Sequence, residues 1–235
     1  MKPYIKTGLI WTVGAFLIMA LISAGTWSSL PAGRDIPVHW GVNGEPDRYA
    51  GRNEAGLVLM AMPVIMLLTG LVLAFAPSLD PRKANIETGR RAYLATWLGA
   101  IILQTLVHGG IARMMAAGPG ATSGEFVRWV IAGAGLLFIL IGNYLPKTRS
   151  SFFFGIRTPW TLSSDIAWEK THRFAGPLFM LAGAIGIAGA FLLNGIWLAL
   201  QLSALVLIAA TISVVYSYFA WRSADDRDDG TGLTV

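Results

Sequence analysis

Three groups of residues in this chain have the types and spacing to do chemistry. Residues 155–172 read GIRTPWTLSSDIAWEKTH, which puts Arg157, Thr158, Pro159, Trp160, Trp168 and His172 in one short segment. A guanidinium such as Arg157 can grip a carboxylate or phosphate through two parallel hydrogen bonds. That anion could belong to a lipid, to a partner protein, or to Asp165 or Glu169 of the same segment. Residues 34–52, RDIPVHWGVNGEPDRYAGR, set His39 near Glu45 and Asp47, with Trp40, Asn43, Gly44 and Arg48 alongside. A histidine beside carboxylates can pass protons. The same stretch can equally serve as a recognition surface or as a plain cap on helix ends. Gln104 and His108 form the third group, four residues apart within an apolar run. Ionisable residues inside a membrane are functional candidates, and a polar pair satisfied across a helix interface is the plainer alternative.

The elements that must position these residues follow from composition. Hydrophobic residues make up 54% of the chain and charged residues 13%, about half the charged share of a soluble domain. A membrane-crossing helix needs roughly 20 apolar residues. Six stretches qualify or nearly so, at residues 7–27, 56–76, 92–115, 127–145, 174–193 and 196–221. The expected fold is therefore an all-α, polytopic membrane bundle of six helices. The first stretch exceeds the 7–15 residue core of a signal peptide and is read as a retained span. Residues 1–80 hold two spans and the His39 loop, residues 81–222 hold four spans and the Arg157 loop, and residues 223–235 read as a polar disordered tail. Cysteine is absent, which excludes disulfides and thiolate metal sites.

Lys and Arg set the orientation. Thirteen of them fall at the N-terminus, in the second and fourth loops and in the tail, against Arg34, Arg48 and Arg52 in the first loop. Cytoplasmic loops carry such an excess, so both termini and the Arg157 loop are expected inside, in the plasma membrane, with the His39 loop outside. The net charge of +5 is thereby read as basic cytoplasmic loops, not as nucleic-acid binding.

Within the outer loop, Ile36, Val38, Trp40 and Val42 alternate as a strand does, and Asn43-Gly44 suits a two-residue hairpin turn. Pro37 and Pro46 keep any hairpin short. Its charges are expected to balance one another. In the inner loop, Gly155 permits backbone geometry closed to other residues, and Thr158 before Pro159 is expected to be extended. Residues 157–160 then form a non-helical corner. Phe152, Phe153 and Phe154 are expected at the lipid interface or in the bundle. Ser164 is a candidate N-cap with Asp165 behind it, opening a short interfacial helix over 165–173 that runs into the fifth span. On that helix Trp168 and His172 share a face, and Glu169 can pair with Arg173. Pro63 and Pro177 are expected to bend their helices. Ala182, Gly186 and Ala190 offer close packing within one chain or between two.

Residues 143–176, NYLPKTRSSFFFGIRTPWTLSSDIAWEKTHRFAG, closely resemble the signature of SdpI-like membrane proteins, the sporulation-delay immunity family. Asn143, Pro146, Gly155, Arg157, Thr158, Pro159, Trp160, Thr161, Trp168, Thr171, His172 and Gly176 fit it. The outer IPVHWGVNGEPDRYAGR segment resembles a domain of uncharacterised function that often precedes that signature. The resemblance implies a bacterial integral membrane protein giving resistance to a secreted toxic peptide. It further implies signalling in which a small DNA-binding repressor is held at the membrane once toxin is present. A toxin arriving from outside would meet the outer loop, and Arg157, Trp160, Trp168 and His172 are the candidate repressor surface.

Two other function classes stand beside this one: a small-solute transporter or channel using His108, and a membrane enzyme using His39, Glu45 and Asp47. The reading adopted is non-enzymatic, with membrane lipid, a toxic peptide and a repressor as partners. No cofactor or metal is expected. Among the histidines, only His39 and His108 could meet around a metal, with Glu45 or Asp47 as further ligands, and a metal needs several converging donors.

Overall fold

The computed structural model describes residues 1–33, 35–41, 44–118 and 123–227. Six long helices cross from end to end: α1 Pro3–Ser29, α2 Arg52–Leu79, α4 Arg90–Ala117, α5 Gly124–Tyr144, α7 Asp165–Leu192 and α8 Gly195–Arg222. All six are long and apolar enough to span a bilayer, and the protein is an all-α polytopic membrane bundle. Between them lie the strands β1 Ile36–Trp40 and β2 Pro46–Ala50, and the short helices α3 Lys83–Thr88 and α6 Pro159–Leu162. The helices extend a few residues beyond the apolar runs that announce them. The exception is α7, which starts nine residues before its apolar run. Residues 165–173 thus run straight into the fifth span as the first turns of one continuous helix, as expected. Pro63 and Pro177 both sit inside continuous helices.

Packing divides the bundle into two groups. α1, α2 and α4 pack together, as do α5, α7 and α8, and the groups meet along α4 and α5. By packing, α4 therefore goes with the first two spans. Glycines set the closest approaches. A Cβ on Gly183 would lie 2.4 Å from the Gly135 carbonyl oxygen, and one on Gly176 would lie 2.7 Å from that of Gly142. Without a hydrophobic drive between helices in lipid, such backbone contact supplies much of the association. This α5–α7 seam was not singled out in the sequence. The Ala182, Gly186, Ala190 stripe was, and it packs within the chain: a Cβ on Gly186 would meet Leu202 of α8 at 2.5 Å.

β1 and β2 pair antiparallel, Ile36 opposite Ala50 and Trp40 opposite Pro46. Ile36, Val38 and Trp40 point into a cluster with Leu30, Leu59 and Met115, as their alternation predicts. The reversal differs from the expected two-residue turn. Gly41 N–H donates to the Glu45 carbonyl (2.9 Å), Gly44 N–H donates to the Gly41 carbonyl (2.9 Å), and the positive φ of +81° falls on Gly44. A glycine in that position is what three-residue hairpin loops use. Arg34, Val42 and Asn43 lie outside the described residues. Ser123 N–H donates to the Gly44 carbonyl at 2.8 Å, fastening the hairpin to the start of α5.

Candidate functional site

Two ends and one buried node hold the residues singled out in the sequence. At the hairpin end, His39 Nδ1 lies 2.6 Å from Asp47 Oδ1, and both side chains are more than half exposed. Arg48 pairs with Glu54 of α2, not with a carboxylate of the hairpin as charge balance suggests. His39 and His108 do not come together, and among the described residues no group of three or more metal-ligating side chains forms. A site of His39 and His108 with Glu45 or Asp47 is therefore not assembled among the described residues.

His108 is fully buried in the first helix group. Its Nε2 lies 3.1 Å from both Ser23 Oγ and the Met19 carbonyl, while Ser23 Oγ donates to the Leu59 carbonyl at 3.0 Å. Because the Ser23 proton is already committed to Leu59, Nε2 carries the hydrogen and Ser23 Oγ accepts. His108 therefore links α4, α1 and α2 as a cross-helix polar node. Gln104 takes no part in it. Interhelical hydrogen bonds in membranes are worth about 1 kcal/mol, so Ser23→Ala should lower stability by roughly that much in a detergent unfolding titration. A loss several times larger would mean the node carries more than packing.

The basic end gathers the remaining residues. Here the N-terminus, residues 80–89, the loop of residues 145–164 and the start of the tail meet. Lys2 pairs with Glu87, which holds the ammonium above its ordinary pKa. Asp80, which sequence reading passed over, organises this end. It is 2% exposed. Its Oδ2 accepts from the Ser151 hydroxyl (2.7 Å), Phe152 N–H (2.8 Å) and Phe153 N–H (3.3 Å), and its Oδ1 accepts from Arg82 N–H (2.7 Å). Burial alone would push this carboxyl up. The hydroxyl and the three backbone donors outweigh it and hold the pKa below the usual value. The clue in the sequence was an acid directly after an apolar run, followed by Pro-Arg-Lys. Arg82 reaches across as well, donating to Ser150 Oγ and to the Leu162 carbonyl (2.8 Å) and lying 3.5 Å from Asp165.

The loop then turns at Gly155, where φ is +107°. Behind it Trp168 and His172 stack, with ring centroids 4.0 Å apart. His172 Nδ1 lies 2.8 Å from the Trp168 carbonyl, and Ile156 N–H donates to His172 Nε2 at 2.8 Å. One nitrogen must donate and the other accept, so the ring is neutral with its hydrogen on Nδ1. Thr158 is extended, as its place before proline predicts, and caps α6: Thr161 N–H donates to Thr158 Oγ1 and Thr158 N–H donates to Thr161 Oγ1. Pro159 and Trp160 are helical, so the non-helical corner ends at Thr158. Thr158 Oγ1 also lies 3.0 Å from Ser217 Oγ of α8, and Trp160 packs edge-on against Tyr218.

Ser164 caps α7 as expected, accepting from Ala167 N–H at 2.9 Å. Asp226 of the tail adds to this cap, accepting from Ser164 and from Ile166 N–H. Burial would raise the Asp226 pKa, and these donors bring it below the usual value. Residues 223–227 are thus docked, contrary to the disordered tail expected there, and residues 228–235 lie outside the described chain. Glu169 pairs with Arg149 instead of Arg173. Arg157 donates to the Phe152 carbonyl at 2.7 Å and makes no ion pair among the described residues. Phe154 packs against Tyr93, while Phe152 and Phe153 stay exposed.

The six singled-out residues of the 155–172 segment therefore separate by burial. Thr158, Trp168 and His172 are buried and shape the corner, while Arg157 and Pro159 are exposed and Trp160 is half-buried. Their side chains do not form one open face.

Fold and site together define a six-span membrane protein whose loop between the fourth and fifth spans is tied to residues 80–85, to α8 and to the start of the tail. Residues 147–217 match the SdpI/YfhL protein family. Residues 14–67 match a domain of unknown function, DUF1648. The chain is 33% identical over 90 residues to a protein named immunity protein SdpI of Bacillus subtilis (strain 168), covering 38% of this chain and 43% of that protein. The match spans less than half the length of that relative. The chain is thus a membrane protein related to the SdpI immunity family. No solved structure matches it.

Proposed function

We propose that this protein confers immunity to a secreted toxic peptide, sensing it at the hairpin end and capturing a small DNA-binding repressor at the basic end. The basic end faces the cytoplasm on this reading. The observation that carries it is the wiring of the 145–164 loop. Asp80 and Arg82 tie it to the first helix group, Thr158 to α8, and Asp226 to the tail. Toxin binding outside transmits nothing unless it favours one arrangement of the bundle over another. A loop held from both helix groups is the segment most directly altered by a change in their packing. Arg157, Pro159 and Trp160 are the residues it leaves available to a partner.

The test is survival. Expressed in a strain lacking its own immunity protein and challenged with toxic peptide, the protein should protect. In the same cells, a photo-crosslinking residue at Arg157 should capture a DNA-binding protein only when toxin is present. Protection without toxin-dependent capture would separate immunity from signalling and remove the repressor step. No protection would sink the whole reading.

A further inference from the structure

A groove runs along the seam where the two helix groups meet, and its two halves differ in chemistry. Between α4 and α5 it is apolar, with a cavity volume of about 490 Å³ bordered by Ile102, Leu103, Leu106, Leu136 and Leu140. Asn143 closes this half. One turn further along α5 the chemistry reverses. A second cavity of about 510 Å³ is bordered by Arg90, Arg91, Tyr144 and Lys147. Lys147 Nζ lies 5.0 Å above the Tyr144 ring and donates to Asn143 Oδ1 at 3.4 Å, so the two halves adjoin.

The charges of the second cavity are unspent. Nearby cations are neutralised: Lys2 by Glu87, Arg82 by Asp165 and Arg149 by Glu169. Arg90, Arg91 and Lys147 have no carboxylate partner among the described residues, and Arg90 donates to the Glu87 carbonyl at 3.3 Å. Three uncompensated cations thus surround one concavity at the end of two membrane-spanning helices, directly above an apolar channel that opens sideways toward lipid.

We propose that this seam is a binding site for an anionic phospholipid, its phosphate held by Arg90, Arg91 and Lys147 and an acyl chain laid in the α4–α5 groove. Charge complementarity selects the headgroup, since basic pockets between membrane helices attract anionic lipid heads. The apolar half selects a lipid over other anions. A free phosphate would use only the basic half. An acidic peptide would have to bury unpaired backbone in the hydrocarbon region to use the rest. The lipid would lie along the outside of the direct α4–α5 contact, bridging the two helix groups.

Native mass spectrometry of the purified full-length protein tests this, with phosphatidylglycerol and phosphatidylcholine of identical chains as probes. Phosphatidylglycerol should be retained in preference. The R90Q/R91Q/K147Q variant should lose that preference, by about fivefold in affinity per cation. The K83Q/R173Q variant removes two exposed cations of the same end and should leave it intact. Leu136→Trp, at a lipid-exposed position where folding is tolerant, fills the groove and should weaken phosphatidylglycerol binding. Equal loss from K83Q/R173Q would reduce the effect to general surface charge and overturn the site. Unchanged binding in Leu136→Trp, or displacement of the lipid by inorganic phosphate, would overturn the acyl groove and with it the proposal.

Discussion

Asp80→Ala is expected to cost about 3 kcal/mol of stability, because it strips acceptors from four buried or partly buried donors at once. Hydrogen bonds to a charged group contribute more than neutral ones, and donors left unpaired in a buried place add their own penalty. Asp80→Asn should be nearly as damaging. Its amide offers one acceptor oxygen and points a donor group where the carboxylate met N–H groups. The loss should be local before it is global: residues 150–154 detach from the start of α3 while the six spans hold. The chain has no cysteine, so a single cysteine at Phe153 reports this cleanly by its labelling rate, which should rise in both variants. An unchanged rate would show that Arg82 and Asn85 hold the loop without Asp80.

The same group sets a pH dependence whose sign follows from its lowered pKa. A carboxyl depressed in the folded state contributes stability that is fully present above the unfolded pKa. That contribution is lost as pH falls through the folded pKa. The wild-type loop should therefore stay protected at neutral pH and loosen on acidification below the ordinary carboxylate range. Asp80→Asn should flatten that response. Asp226 shifts in the same direction, so Asp226→Asn should remove a further part of it, read at Ser164 instead of Phe153.

The fold was more legible than the site because different physics writes each. Twenty apolar residues in a row have one solution in a bilayer, so all six spans could be read directly, and the alternation of Ile36, Val38 and Trp40 announced the hairpin. Local rules were equally readable at Ser164, which caps α7, and at Thr158, which is extended before proline; that Thr158 also caps a helix over 159–162 was not. What could not be read was long-range pairing. Glu169 had two arginines within reach, Arg173 by helical spacing and Arg149 by the path of the loop, and the loop decided the outcome. Asp80 carries no motif, since three of its four donors lie about seventy residues away. Trp168 and His172 were correctly placed on one face, but helical spacing cannot say which way that face points. It turned inward, toward Gly155.

Gly155→Ala is expected to cost about 2–4 kcal/mol, for two reasons that can be measured apart. The first is backbone strain: φ at Gly155 is +107°, a region closed to residues with a Cβ. The second is collision, because a Cβ there would lie 2.5 Å from His172 Nε2 and 2.8 Å from Trp168. His172 cannot withdraw freely. Its ring is stacked on Trp168 and its Nδ1 hydrogen bonds to the Trp168 carbonyl. The methyl would therefore push out the Ile156 N–H···Nε2 bond and turn Arg157 away from its present place. A double-mutant cycle with His172→Ala separates the two causes. Removing the ring deletes the tighter of the two collisions and leaves the strain and the Trp168 contact, so the pair should cost at least about 1 kcal/mol less than the two single losses added together. Strict additivity would assign the effect to backbone strain and the Trp168 contact. In that case His172 would not be what requires glycine at 155, and the corner presenting Arg157 would be set without it.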